Sequence, residues 1–219
     1  MSIIVIDGLD GSGKTTQSGI LIEHLRKRGK PARLVSFPDY SSLSSGPVKM
    51  YLAGAFGSSA DDVGPYAASS FYAVDRYASF KKDWQKDVEC GTMIVANRYT
   101  TSNIIHQMSK LPKPEWDGFI GWLYDFEYVK LGLPKPDLVI YLDVHPDVSA
   151  GLITGRYGGD ERKKDIHERD LAYLLRCRES AVYAAEKLGW AVIAASDEQS
   201  ILTVDEVAAQ ILNAVSPLL

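Results

Sequence analysis

The sequence predicts an α/β fold in three layers, a five-stranded parallel sheet with helices on both faces. Three observations predict it. Short runs rich in isoleucine and valine alternate with segments whose apolar residues recur at helical spacing. The first run, Ser2–Asp7, is short and apolar from Ile3 to Ile6, as a strand buried on both faces should be. It passes through a glycine-rich turn directly into a helix. With 219 residues, 46% of them apolar and 24% charged, the chain has the size and composition of one domain with a full core.

The elements follow in order. Ser2–Asp7 is an isoleucine-rich buried strand that ends at Gly8. Thr15–Arg28 reads as a helix, with Ile20, Leu21, Ile22 and Leu25 on its apolar side and Arg26, Lys27 and Arg28 favourably placed in its last turn before Gly29. Ala32–Phe37 is the second strand, halted by Pro38. Ser41–Gly46 is a Ser/Gly loop, and Pro65–Lys86 a long helix. Thr92–Ala96 is the third strand, with a helix after Thr100 to about Met108, a break at Leu111–Pro114, and another helix near Glu115–Tyr128. Leu138–Asp143 is the fourth strand, introduced by the Pro134-Lys135-Pro136 turn, and a helix spans about Pro146–Thr154. Gly155–Lys164 carries three glycines and six charges without an apolar period, so a mobile lid is expected at about 155–166. A helix resumes from Asp165 with Leu171, Leu174, Leu175, Val182, Ala185 and Leu188 in register. Ala191–Ala195 is the last strand and Val204–Val215 the last helix.

The net charge of −4 argues against a general nucleic-acid binder. Cys90 and Cys177 lie far apart, which disfavours a disulfide framework or a zinc site and fits a reducing cytosol. Ile3–Ile6 is too short for the apolar core of a signal peptide, and no run approaches a membrane span. A soluble, cytoplasmic protein is expected.

Gly8-Leu9-Asp10-Gly11-Ser12-Gly13-Lys14-Thr15, followed by Thr16, matches GxxxxGK[ST] in full, between a strand and a helix. The glycines let successive backbone N–H groups turn inward around a polyphosphate, and the helix points its positive end at the same place. Lys14 can bridge β- and γ-phosphate oxygens of ATP, and the Thr15 hydroxyl can bind Mg²⁺. These features predict the P-loop NTPase form of the three-layer fold. A GTPase would normally carry an Asn-Lys-x-Asp motif, and the chain has no Asn-Lys pair. Asp61–Gly64 fits DxxG by letters but follows Ser58-Ser59 rather than a strand, so it reads as a loop. A motor ATPase would usually be larger, with an Asp-Glu pair closing a buried strand, and Asp143 has no Glu beside it. A small kinase fits best.

Further motifs resemble the thymidylate kinase family across nearly the whole chain. They are Asp10 inside the P-loop, Phe37-Pro38, Phe71-Tyr72-Ala73-Val74-Asp75-Arg76, Asn97-Arg98-Tyr99 with Ser102-Asn103, Leu131–Asp137, and Leu142-Asp143-Val144 with Pro146. The resemblance implies transfer of the ATP γ-phosphoryl group to dTMP, with Mg²⁺, in a homodimer. It assigns Asp10 to the sugar 3′-hydroxyl, though a cap on the following turn is the alternative. Phe37 and Pro38 would line the nucleotide pocket, and a core role for Phe37 is also open. Tyr72 stands where the family usually stacks a phenylalanine on thymine, and Arg76, one helical turn on, shares its face, so that ring and guanidinium would grip one flat base. The resemblance gives Arg98 the monophosphate, and Asn103 and Gln107 the base or sugar. His106 falls where bacterial members often have a tyrosine. Two departures stand out: Asn97 replaces the usual aspartate, and Gly11 occupies the place where some members carry an arginine. The chain therefore resembles the type whose catalytic arginines lie in the lid, here Arg156 and Arg162, working with Lys14 and Arg98. The alternatives are a kinase for another (deoxy)nucleotide or a deoxynucleoside, or a non-catalytic nucleotide-binding regulator.

Overall fold

A five-stranded, all-parallel sheet in the order β2-β3-β1-β4-β5 forms the middle layer. The computed structural model describes residues 2–145, 148, 165–168, 170–196 and 202–219. The strands are β1 (Ile3–Gly8), β2 (Ala32–Ser36), β3 (Met93–Asn97), β4 (Leu138–Asp143) and β5 (Ala191–Ala194). The helices are α1 (Lys14–Lys27), α2 (Gly46–Leu52), α3 (Pro65–Ser79), α4 (Gln85–Glu89), α5 (Thr101–His106), α6 (Trp116–Tyr124), α7 (Leu171–Leu188) and α8 (Val204–Val215).

β1 shows why the sheet has two cores. Its side chains alternate between the faces. Ile3 and Val5 join Phe37, Trp84, Tyr99, Phe119 and the inner faces of α5 to α7. Ile4 and Ile6 join α1 and α8 through Leu21, Leu25, Val207 and Ile211. All four β1 residues are fully buried. The parallel three-layer expectation holds.

Several boundaries differ from the pattern. The Ser41–Gly46 loop contains a 3₁₀ turn at Leu43–Ser45 and runs into α2, which the apolar pattern did not predict. The long helix predicted over Pro65–Lys86 is three pieces, because a π-helical stretch at Phe80–Trp84 separates α3 from α4. There Phe80 and Trp84 turn inward and meet edge to face. α5 ends at His106 and α6 at Tyr124, the latter followed by a second π stretch at Asp125–Lys130. The helix expected from Asp165 begins at Leu171, because Asp170 caps it by accepting from the Tyr173 N–H. Asp61 lies in a 3₁₀ turn capped by Ser59. The helix predicted over about Pro146–Thr154, apart from Val148, and lid residues 155–164 with Arg156 and Arg162 lie outside the described residues.

In β1–β3 pairing Ile6 faces Asn97, and in β1–β4 pairing Gly8 faces Leu142. After β1 the chain leaves toward α1 on one face, and after β3 toward α5 on the other. In open parallel sheets, a ligand crevice opens at this point beyond the carboxyl ends of the strands.

Candidate active site

The glycine-rich turn has the backbone that its sequence demands. A Cβ on Gly8, whose φ is 156°, would sit 2.6 Å from Ser12 Oγ and 2.7 Å from the Leu142 carbonyl. Gly13 takes φ 86° as the cap of α1 and aims the helix N-terminus back into the turn. Lys14 is folded over the loop, with Nζ donating to the Leu9 carbonyl at 2.7 Å and lying 3.9 Å from Asp10.

The turn opens into a cavity of about 790 Å³. Asp10 through Gln17 line it, so of the residues assigned to ATP, Asp10, Gly11, Ser12, Gly13, Lys14, Thr15 and Thr16 face it, while Gly8 and Leu9 form the underlying backbone. Gln17 lies beside Val204, to whose carbonyl its amide donates at 2.9 Å, and Leu202, Val204 and Val207 supply an apolar wall there. Phe37, Pro38, Tyr72, Arg76, Arg98, Asn103 and Gln107, all expected to contact the acceptor, line the same cavity.

Arg98 is the centre of the charge arrangement. Its backbone is left-handed, φ 65°, a conformation that costs a non-glycine residue about 1–3 kcal/mol. Its N–H is held by the Ile6 carbonyl at 3.1 Å. Nη2 donates to Asp10 Oδ1 at 2.6 Å, and Nη1 donates to Ser102 Oγ and His106 Nε2 at 3.2 Å each. Burial would raise the Asp10 pKa, but the charges of Arg98 and Lys14 outweigh it and hold the carboxyl well below its usual range.

Arg76 is placed differently from a free base clamp. It is buried and spends two N–H groups on Glu127, at 2.6 and 2.8 Å. Glu127 also accepts from Thr100 Oγ1 at 2.8 Å and from Asn103 Nδ2 at 3.0 Å. The Arg76 guanidinium lies over the Phe37 and Tyr99 rings, so Phe37 serves both the core and the cavity wall. Gln107 is 1% exposed, and neither end of its amide makes a hydrogen bond of normal length and angle among the described residues.

Asn97 donates to Thr15 Oγ1 and Ser36 Oγ, both at 3.2 Å, while its Oδ1 is buried without a hydrogen-bond partner among the described residues. These neutral oxygens fit a hydrated Mg²⁺ carried in with a polyphosphate, since the ion binds oxygen and keeps several waters that need acceptors.

Sequence reasoning missed several groups. Asp7, fully buried, accepts from Gly8 N–H, Thr101 Oγ1 and Ser102 Oγ, tying the P-loop to the start of α5. Its signal was a carboxylate ending an isoleucine strand. Asp75 holds the loop after β2 by accepting from Asp39 N–H and Ser44 Oγ. Tyr40, Asp165, His167 and Glu168 also line the cavity, and no local pattern marked them.

The family model described as thymidylate kinase matches residues 6–206. The chain is 31% identical over 184 residues to the thymidylate kinase of Mycobacterium tuberculosis, covering 83% of this chain and 84% of that one. It is 29% identical over 197 residues to the probable thymidylate kinase of Pyrobaculum aerophilum, covering 90% and 89%. The Schizosaccharomyces pombe thymidylate kinase is 26% identical over 215 residues, covering 98% and 91%. A P-loop that shares one cavity with Arg98, together with a family match over most of the chain, places this protein in the thymidylate kinase family.

Proposed function

We propose that this chain transfers the γ-phosphoryl group of ATP to dTMP, giving dTDP and ADP for dTTP synthesis. The observation that carries the reading is that the phosphate loop and the Arg98 guanidinium open into one cavity, so that donor and acceptor phosphates meet between them. Testing each nucleoside and nucleoside monophosphate as acceptor, with ADP release as the readout, decides it. A strong preference for anything but dTMP overturns the substrate and leaves the P-loop chemistry standing.

The acceptor needs no strong base, because a phosphate monoester loses its second proton at about pH 6. The task is to bring two polyanions together and exclude water. Backbone N–H groups of Gly11 to Thr15 and the Lys14 ammonium hold the donor phosphates. Arg98 takes the acceptor phosphate on its planar fork. The phosphate then displaces Asp10 from Nη2, which frees that carboxylate to accept from the sugar 3′-hydroxyl. Tyr72 and Phe37 supply aromatic surface to the base, and the Gln107 amide offers it a donor and an acceptor. Thr15, with Ser36 and Asn97 beside it, would hold Mg²⁺, which when bound neutralises charge on the ATP phosphates. Arg156 and Arg162 are the lid cations assigned to the transferring group, in a lid at about 155–166 of a single domain.

A homodimer is part of the reading. Tyr66, Val74 and Tyr77 are exposed along one side of α3, and Tyr66 meets Trp122 of α6 edge to face at 4.7 Å. With Phe126 and exposed Val129 they make an apolar face suited to a second copy. Sedimentation of the protein and of Val74→Glu tests it. No helix among the described residues is long and apolar enough to cross a membrane. A cytoplasmic setting is favoured by two cysteines that remain thiols, and nucleotides rather than nucleic acid are the partners.

A further inference from the structure

The acceptor side of the cavity contains a histidine to which the phosphoryl-transfer chemistry gives no task. His106 closes α5, is 6% exposed, and lines the cavity. Its two ring nitrogens face groups of fixed polarity. Nε2 is 3.2 Å from Arg98 Nη1. A guanidinium has donors and no acceptor, so Nε2 must present its lone pair. Nδ1 then carries the hydrogen, and it lies 3.6 Å from Cys177 Sγ.

The neighbours of the thiol agree with that direction. Burial pushes the Cys177 pKa up to about 12, so the sulfur keeps its proton. Ser109 Oγ donates to the His106 carbonyl at 2.9 Å and lies 3.4 Å from Cys177 Sγ, where it accepts the S–H. Donation therefore runs one way, from Arg98 to His106 to Cys177 to Ser109. The ring plane is also fixed, since His167 stacks on it at 5.6 Å and 12°. Burial first, then the charge of Arg98, lowers the His106 pKa well below its usual value against the pull of Asp10. A neutral ring is what the donor chain requires.

We propose that His106 is a positioning residue. Held as the Nδ1–H tautomer, it fixes the Nη1 edge of Arg98 so that the Nη2 edge meets the acceptor phosphate. Ser102 Oγ takes the second Nη1 hydrogen, so both hydrogens of that nitrogen are committed and the guanidinium plane has one orientation. This rests on reading Arg98 as the acceptor-phosphate clamp.

The test varies ATP and dTMP separately for the wild type, His106→Leu, His106→Gln and Arg98→Ala, and records the ¹⁵N shifts of the His106 ring. For His106→Leu the dTMP KM rises about tenfold, as loss of an acceptor to a charged donor implies, while the ATP KM stays within about twofold. His106→Gln, whose amide oxygen can accept from Nη1, recovers most of the loss. The spectrum shows Nδ1 protonated and Nε2 bare. A role in packing alone would instead leave Leu and Gln equally impaired, lowering thermal stability and affecting both substrates. That result overturns the proposal, as does a wild-type dTMP KM in His106→Leu or an Nε2–H tautomer. If His106→Leu fails to fold, the Gln variant and the spectrum decide. An impaired Arg98→Ala beside an unaffected His106→Leu brings down this proposal alone. Wild-type turnover in Arg98→Ala brings down the Arg98 reading, and the proposal with it.

Discussion

Arg76 and Glu127 form a two-point ion pair with both side chains out of solvent, Nε to Oε2 at 2.6 Å and Nη2 to Oε1 at 2.8 Å. The pair joins α3 to the π stretch after α6, and Thr100 and Asn103 hang from the same carboxylate. Breaking a buried pair from one side leaves an uncompensated charge and costs about 3–5 kcal/mol. Glu127→Ala is therefore expected to lose about that much in urea unfolding. It also frees Asn103 in the cavity wall, so the dTMP KM rises in whatever protein remains folded. Wild-type stability in this variant would show that the pair is not closed in solution.

Arg98→Ala tests the centre of the site. The residue is held by one backbone bond and three side-chain bonds at a strained φ, and alanine relieves none of that strain. An arginine supplied to a phosphoryl-transfer transition state is worth about 10³–10⁵ in rate. Turnover should fall at least about 10³-fold, with the circular dichroism spectrum unchanged. Turnover near the wild-type rate would remove Arg98 from the chemistry.

Acid should destabilise the fold through its buried histidines. The His167 pKa is pushed down to about 3 by burial and then by Lys110, with Asp10 pulling the other way, and the His106 pKa is lowered too. Both rings are neutral in the folded state, while the unfolded chain binds protons below about pH 6.5. Their contribution to stability is therefore complete above that pH and is lost as pH falls toward the folded values. Asp165, raised to about 6 by burial, acts in the opposite sense and offsets about one of the two protons below pH 6. His167→Gln should flatten the slope of stability against pH by about 1.4 kcal/mol per pH unit between pH 6 and 4.5. An unchanged slope in urea midpoints would place the titrating group elsewhere.

What was legible in the sequence was local. The P-loop is a run of eight residues whose glycines answer to their own backbone, so strand, turn and helix could be read together. Val204–Val215 was read to the residue, and the structure closes its start with a local capping box of Thr203 and Glu206. Glu127 was invisible for the opposite reason. It lies 51 residues from Arg76, inside a segment read as ordinary helix, and only the packing of α3 against the π stretch after α6 brings the two together. The same limit hid His167 and the role of Asp75, whose partners lie in other elements. α2 escaped because Ser44, Ser45, Gly46 and Pro47 look like a loop, although proline suits a first helical turn.

Asn97 supplies the last prediction. Its Nδ2 donates to Thr15 Oγ1 and Ser36 Oγ, using a lone pair on each of the two hydroxyls nearest the place proposed for Mg²⁺. Asn97→Asp reverses that direction. A carboxylate accepts from both hydroxyls, turns their lone pairs toward the cavity, and adds a negative charge beside the ion. Half-saturation by free Mg²⁺ should fall about tenfold, the scale of one hydrogen bond to a charged group, while the dTMP KM stays within about twofold. The titration should be run on activity at saturating nucleotides and on binding of a fluorescent ATP analogue, so that affinity is seen apart from turnover. A half-saturation that stays put or rises would mean that residue 97 does not face the ion.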